Sequence, residues 1–186
     1  MRISHNPILK AISAAYIEFI RGTPIMVQLF IVYYGLSTIG IKFPEISILG
    51  SNFPDLMAGV TSLSINSAAY VAEIVRAGIQ AVDKGQMEAA RSLGLNYSMS
   101  MKAIVLPQAI KNILPALGNE FIAIIKESSI VSIIGIHELM YNTDTVRGNT
   151  FKPFEPLIVT AVVYFVITFT LSTVVKAFER RLKTSD

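Results

Sequence analysis

Two polar side chains of this 186-residue sequence, Asn66 and Glu120, could bind a ligand inside otherwise apolar stretches. An ionised carboxylate at the centre of a bilayer costs at least about 2.5 kcal/mol, so Glu120 should face a bundle interior or a watered cavity, where it could receive a cationic group. Tyr70 follows Asn66 by one helical turn and shares its face, whereas Ser67 stands one step round the helix. By helical rise, Asn66 and Glu120 each lie about 14 to 15 Å inside their segments, which predicts a shared depth near the middle of the membrane.

Each of these polar groups also has a structural interpretation. The Glu120 carboxylate could be satisfied by a lysine or a backbone group and lock helices together, although intramembrane carboxylates favour substrate contact. The Asn66 amide could equally be an interhelical hydrogen-bonding group worth about 0.6 to 2 kcal/mol. Pro115 is expected to break the helix just before Glu120, with a simple kink as the alternative. Glu73 and Arg76 are predicted to form an i, i+3 ion pair near the inner end of their helix.

No pattern in the sequence predicts a catalytic or metal-binding site. The chain has no cysteine, which excludes thiolate sites and disulfides. The segment "HELMY" at 137–141 begins like a zinc-protease helix, but Tyr141 stands where the second histidine is needed. No G-x-x-x-x-G-K-[ST] motif occurs, so this chain is not expected to bind ATP by a phosphate loop; no cofactor is expected in it, and any ATP and Mg²⁺ would lie on a partner. The basic residues do not follow a groove, which argues against nucleic acid as a partner.

The elements that would position these side chains are apolar helices. Hydrophobic residues make up 52% of the chain and charged residues 16%, against roughly 25% charged in an average soluble domain. Twenty residues at about 1.5 Å each cross a hydrocarbon core of about 30 Å. We therefore predict an all-α membrane protein with a single domain over 1–186. The predicted transmembrane helices cover about 22–41, 56–81, 108–136 and 156–176.

The basic residues predict the orientation of these spans. One side of the bundle would carry Arg2, Lys10, Arg21, Lys84, Arg91, Lys102, Lys176, Arg180, Arg181 and Lys183. The other side would carry only Lys42, Arg147 and Lys152. By the positive-inside rule, the first side is cytoplasmic. The polar insert in the middle of the chain and the C-terminus are thus expected in the cytoplasm.

The polar insert itself predicts a short helix. Residues 83–85 should interrupt the preceding helix, and residues 86–93 are good helix formers that end before Gly94, a natural stop. Glu88 and Arg91 are spaced to form an i, i+3 ion pair. An ordinary amphipathic loop helix and a docking helix are equally compatible with this pattern.

The insert also carries an extended motif. The spacing E-A-A, three residues, G, nine residues, I-x-L-P is met by Glu88, Ala89, Ala90, Gly94, Ile104, Leu106 and Pro107. This spacing resembles the signature loop of permease subunits of bacterial ABC importers. Four further segments resemble the polar amino acid subgroup of these permeases: "YIEFIRGTP" (16–24), "NSAAYVAEIVRAGI" (66–79), "LPALGNEFIAIIKESSIVSIIG" (114–135) and "FKPFE" (151–155). The resemblance thus covers nearly the whole chain.

The resemblance implies roles for two groups of residues. The short helix would be a coupling helix that docks on a cytoplasmic ATPase subunit. Its ATPase-coupling residues would be Glu88, Ala89, Ala90, Arg91 and Gly94. The substrate path would contain Asn66, Ser67, Tyr70, Asn119 and Glu120.

The resemblance also implies an assembly. A non-catalytic permease chain of the bacterial inner membrane would pair with a second permease chain, as a homodimer or alternatively a heterodimer. Its other partners would be ATP-binding subunits, an extracytoplasmic solute-binding protein and the bilayer. Polar amino acids, including basic ones or glutamine, would be carried by alternating access. Family members commonly have a further spanning helix ahead of residues 16–24, which this chain is expected to lack.

Two other functions are compatible with parts of the pattern. A secondary transporter or channel that is not driven by ATP would also need polar groups at mid-depth and a broken helix. It would not need a helix shaped for an ATPase. A non-transporting membrane scaffold could use residues 86–94 only to recruit a cytoplasmic protein.

Overall fold

The computed structural model describes residues 6–44 and 52–183, and all regular structure within these ranges is helical. The helices are α1 (Pro7–Gly22), α2 (Ile25–Thr38), α3 (Phe53–Gln80), α4 (Lys84–Ser92), α5 (Tyr97–Ser100), α6 (Leu106–Glu127), α7 (Leu139–Thr150) and α8 (Glu155–Lys183). A π-helical turn, Ile31–Gly35, lies within α2, and a second, Met101–Val105, joins α5 to α6. A 3₁₀ helix, Ser128–Ile134, follows α6. The predicted all-α fold class is confirmed.

Helices α2, α3, α6 and α8 overlap the ranges predicted as membrane spans, whereas α1 and α7 lie outside the helices that the sequence predicted. Among the described residues, α8 is by itself long and apolar enough to cross a bilayer, and few of its residues are buried inside the protein. Together α1 and α2 would pass the same criterion, but they are bent by 108°. The passage of α3 and α6 across a bilayer stays a prediction.

The bend between α1 and α2 follows from the sequence Gly22-Thr23-Pro24. A residue before proline is pushed out of the α region, and Thr23 adopts an extended conformation with φ −116° and ψ 144°. Pro24 then stands immediately ahead of α2. The Thr23 hydroxyl donates to the Phe19 carbonyl at 2.9 Å and so caps the end of α1. The span predicted over 22–41 therefore begins at this break.

Helices α3 and α6 approach closely at glycines. A Cβ atom on Gly78 would lie 2.3 Å from Ile113 Cγ1, and one on Gly59 would lie 3.1 Å from Val131 Cγ1 in the 3₁₀ helix. Small residues at such crossings let helix backbones approach and gain van der Waals contact, which is the main attraction between helices in lipid. Two contacts of this kind fix the antiparallel register of α3 against α6 and the 3₁₀ helix.

The opposite side of α6 packs on α8. A Cβ atom on Gly118 would lie 2.8 Å from Val175 Cγ2. The outer surface of α8 exposes large apolar side chains such as Phe165 and Phe169, which suits contact with lipid. Helix α6 thus lies between α3 and α8.

Proline does not interrupt α6 where a break was expected. The α-helix runs without interruption through Pro115, so the predicted break before Glu120 is wrong. Neighbouring elements can hold a helix together around the missing N–H of an internal proline, as tertiary packing does for many membrane helices. Pro107 occupies the first turn of α6, directly after the π-helical turn Met101–Val105. A widened turn of this kind accommodates the missing donor.

Helix α7 is attached to α8 by polar contacts. Glu138 caps the start of α7 by accepting a hydrogen bond from the Tyr141 amide at 2.6 Å, and its other oxygen accepts one from the Tyr164 hydroxyl at 3.3 Å. The hydroxyls of Thr143 and Thr160 share a buried hydrogen bond. These contacts hold the short helix on the end of α8.

The Gly78 contact gives a test of close packing. Gly78→Ala is expected to lower the thermal unfolding temperature of the purified protein, because overpacking costs about 1 to 3 kcal/mol. Adding Ile113→Ala should recover part of the loss. Gly148→Ala is the matched control, since no atom lies within 4 Å of its Cβ position and alanine should stabilise that helix by up to about 1 kcal/mol. An unchanged unfolding temperature for Gly78→Ala would contradict the packing described.

Candidate functional site

The side chain of Asn66 is engaged in a buried network between α3 and α2. Asn66 is 5% exposed and Gln28 is 6% exposed. The Asn66 amide nitrogen donates to Gln28 Oε1 at 2.9 Å. The Gln28 nitrogen donates to the carbonyls of Ile20 at 2.7 Å and Thr23 at 3.0 Å. The Asn66 amide thus forms a hydrogen bond between two helices, as its structural interpretation predicts.

The Gln28 side chain pairs with backbone carbonyls that the bend between α1 and α2 leaves without helical partners. The last carbonyls of a helix have no intrahelical donor, and an unpaired carbonyl is costly away from water. The Gln28 side-chain nitrogen donates to the carbonyls of Ile20 and Thr23 at the end of α1. Its side-chain oxygen accepts a hydrogen bond from the Asn66 amide. Sequence reasoning missed this residue. Its signal was the amide side chain within the otherwise apolar segment 25–36.

Tyr70 lies where the apolar part of α3 meets a charged cluster. The Arg21 guanidinium stands 5.4 Å from the centre of the Tyr70 ring, and its Nη1 lies 3.9 Å from Glu73 Oε1. Arg76 donates through Nε to Glu73 at 2.9 Å and makes a second bond to the same carboxylate. The predicted Glu73–Arg76 ion pair is confirmed. Arg76 also bonds to Gln80, so the cluster continues toward the end of α3.

Glu120 lies level with Tyr70. Glu120 follows Ile113 by seven residues, about 10 Å of helix, and shares its face. Tyr70 precedes Gly78, the contact partner of Ile113, by eight residues or about 12 Å. Asn66 precedes Gly78 by twelve residues or about 18 Å, which puts it more than a turn further along. Counted from this contact, Glu120 is closer in level to Tyr70 than to Asn66, and the common depth of Asn66 and Glu120 stays a prediction.

The five predicted path residues fall into different environments. Asn66 is buried, Ser67, Tyr70 and Glu120 are half-buried, and Asn119 is exposed. Glu120 makes no hydrogen bond or ion pair with the part of the chain that the structure describes. The structural interpretation expected a lysine or a backbone group to satisfy the Glu120 carboxylate, and no such partner is found among those residues. The structure brings Tyr70 and Glu120 to one level and directs Asn66 toward α2.

Helix α4 is a separate, well-defined element on the polar insert. Asp83 caps its start by accepting a hydrogen bond from the Gly85 amide at 2.7 Å. Gly94 ends it in the left-handed conformation, with φ +88°. The amide of Gly94 bonds to the Arg91 carbonyl at 3.0 Å, and that of Leu95 bonds to the Ala90 carbonyl at 3.2 Å. These are the bonds of a glycine-terminated helix, so the predicted stop at Gly94 is found.

The outer side of α4 presents small and charged side chains. Glu88, Ala89 and Arg91 are exposed, whereas Ala90 is buried. Within the described ranges Glu88 and Arg91 form no ion pair, so that prediction is wrong. An exposed i, i+3 pair gains only about 0.2 to 0.5 kcal/mol, which barely offsets the freedom lost by two long side chains. Both charges therefore face outward.

A cleft of about 460 Å³ lies beside α4, between the end of α3 and the π-helical turn before α6. Met87 and Met101 line it, and so does Gln80, the partner of Arg76. Gln108 on α6 donates to Gln86 on α4 at 3.2 Å. Helix α4 is thus connected to both α3 and α6. Among the described residues no group of three or more histidine and acidic side chains could hold a metal ion.

The sequence matches a known family along almost its whole length. Residues 1–184 match the family described as the inner membrane component of binding-protein-dependent transport systems. The arginine transport system permease protein ArtQ of Bacillus subtilis is 46% identical over 171 residues, which cover 92% of this chain and 74% of that protein. The probable glutamine ABC transporter permease protein GlnM of Bacillus subtilis is 42% identical over 185 residues, which cover 100% of this chain and 81% of that protein.

Solved structures share the arrangement of helices. A crystal structure of an amino acid ABC transporter with histidines matches with a TM-score of 0.88 and 51% identity, over 97% of this chain and 80% of that chain. An inward-facing structure of the MetNI methionine ABC transporter matches with a TM-score of 0.74 and 16% identity, over 97% of this chain and 78% of that chain. The second likeness supports the fold alone.

The Gln28–Asn66 bond can be measured by a double-mutant cycle. Gln28→Leu and Asn66→Leu should each destabilise the protein, because each leaves a buried polar partner unsatisfied. Gln28→Leu should cost more, since it also removes the side-chain donor to the carbonyls of Ile20 and Thr23. The double variant should show a coupling of about 0.6 to 2 kcal/mol in unfolding free energy. Ser64→Leu, at an exposed position of α3, is the control, and additive losses would contradict the network.

Proposed function

The chain belongs to the family of inner membrane components of binding-protein-dependent transport systems, and on this premise we propose that it is the permease subunit of an ATP-driven importer of polar amino acids. The proposal is carried by helix α4, whose capped start, glycine end and outward charges support a role as a docking element. Relatives named as arginine and glutamine transport permeases support the substrate class. The chain contributes a path and no catalytic residue, and ATP is hydrolysed by a partner.

Coupling would act through α4. An ATPase that holds Glu88, Ala89 and Arg91 in its groove can move α3 and α6, because α4 follows α3 directly in the chain and is bonded to α6 through Gln86 and Gln108. ATP binding changes the transporter only if the ATPase interacts differently with its inward- and outward-facing forms. An ion-driven transporter has no need of such a helix, which makes that alternative the weaker one.

The substrate would pass the level of Tyr70 and Glu120. Glu120 is half-buried and has no partner among the described residues, so its carboxylate can receive the ammonium group or a cationic side chain of an amino acid. Ser67 and Asn119 would offer polar contacts beside it. Asn66 would act indirectly, by holding α3 on the bend between α1 and α2 through Gln28.

A second copy of the chain would complete the path. A half-exposed carboxylate at Glu120 and an exposed amide at Asn119 are unsuited to lipid, so another protein surface must cover them. A homodimer is the simplest arrangement that does so. We place α4 and the C-terminus in the cytoplasm by their basic residues, with ATPase subunits on that side and a solute-binding protein on the other.

Gly94 tests the docking role of α4. Gly94→Leu should leave the protein in the membrane but uncouple ATP hydrolysis from amino acid uptake, because a branched side chain at φ +88° distorts the end of α4. Gly94→Asn is the matched control, since asparagine tolerates this conformation. The measurement is ATP hydrolysed per amino acid imported in reconstituted vesicles. Normal coupling in Gly94→Leu would refute the docking role.

Glu120 tests the substrate path. Glu120→Gln should lower uptake of arginine and glutamine alike if the carboxylate binds the ammonium group, and of arginine alone if it binds the side chain. Glu155→Gln, at an exposed acid on α8, is the control. Initial uptake rates in vesicles supplied with the binding protein decide the matter. Unchanged uptake of both amino acids would remove Glu120 from the path.

A further inference from the structure

Helix α1 presents three chemically different faces. Ser13, Ile17 and Ile20 are buried, and the two isoleucines pack with Ala69 of α3. Tyr16 extends this contact by donating its hydroxyl proton to the Ile65 carbonyl at 2.6 Å. One face of α1 is therefore occupied by protein.

A second face of α1 is apolar and uncovered. Ile8, Ile12 and Phe19 are 67%, 61% and 61% exposed, respectively. Their spacing of four and seven residues places them on one side of the helix. A contiguous apolar stripe of this size on a surface marks a contact with another apolar phase.

The charged side chains of α1 stand away from its apolar stripe. Lys10, Glu18 and Arg21 are exposed. At 100° per residue, Lys10 stands about 160° round the helix from Ile12 and close to the direction of the buried Ile17. The charged side chains thus border the buried face and the remaining side of α1, and none of them lies on the apolar stripe.

Helix α1 is too short and too charged to cross a bilayer. Its 16 residues span about 24 Å, against a hydrocarbon core of about 30 Å. A spanning position would put Lys10, Glu18 and Arg21 in hydrocarbon, where charged groups are expensive. A position in the membrane surface buries none of them.

The orientation of α1 matches a surface position. It is bent by 108° from α2, so with α2 upright it lies within about 20° of the membrane plane. Its end reaches Glu73 through Arg21. In α3 the uncharged segment 56–72 ends just before Glu73. Because this segment makes about 26 Å of helix, the boundary of the hydrocarbon lies near the level of Glu73 and Arg21.

We propose that α1 is an interfacial helix that lies in the surface of the bilayer on the side of α4. Ile8, Ile12 and Phe19 insert among the upper acyl chains of the lipid, while Lys10 points to water. In this position α1 holds the bend before α2 at a fixed depth, with Arg21 at the level of the headgroups. The inference rests on the proposed function only in requiring that the protein resides in a membrane.

The absence of cysteine from the chain allows single spin labels to test this placement. Ile12→Cys probes the apolar face, Lys10→Cys is the matched control on the polar face, and Phe165→Cys reports on α8. Each variant is assembled with its partner subunits in vesicles and labelled, and the signal of the unsubstituted complex is subtracted. Collisions with oxygen, which concentrates in lipid, are compared with collisions with a nickel chelate, which stays in water. Variants that retain uptake after labelling are used.

The expected result is preferential access of oxygen to the label at position 12 and of the nickel chelate to that at position 10. Nickel access at both positions would place α1 in water, and oxygen access at both would immerse it in the hydrocarbon. A label at position 12 that neither reagent reaches would show a protein cover. Each of these three results would overturn the proposal. Failure of oxygen to reach position 165 would instead refute the membrane function itself.

Discussion

The structure depends on the close approach of α3 to α6 at Gly78 and to the following 3₁₀ helix at Gly59. Between helices in lipid there is little hydrophobic driving force, so backbone proximity and van der Waals contact must supply the attraction. Glycine permits this approach because a Cβ atom would overlap Ile113 or nearly touch Val131. Two contacts a long way apart on α3 leave one register, and that register decides which polar groups share a level.

The second constraint is that backbone carbonyl groups away from water must accept hydrogen bonds within the protein. A helix that ends inside or beside a membrane leaves carbonyl groups that water cannot reach. At the bend after α1 these groups are paired by the Gln28 side chain, which is held in turn by Asn66. An asparagine in an apolar helix therefore need not contact a ligand. Its amide can instead keep two helices in one arrangement.

The same arrangement separates two tasks along α3. Its first part carries the Gly59 contact and the buried amide of Asn66, whereas its last turns carry Glu73, Arg76 and Gln80. Gln80 lines the cleft beside α4, and α4 follows α3 directly in the chain, so a movement of α4 is transmitted to the end of α3. Packed helices have few intermediate arrangements, which suits a change between two discrete states.

The sequence alone determined the features that depend on neighbours within a helical turn. The ranges of the long apolar helices, the end of α4 at Gly94 and the Glu73–Arg76 pair follow from local spacing and backbone preference, whereas α1 and α7 were not predicted. Only the tertiary structure decided that Asn66 binds Gln28, that Glu120 lies level with Tyr70 and that α6 continues through proline. These outcomes depend on side chains brought together from distant segments, and local patterns contain no information about the register in which those segments pack.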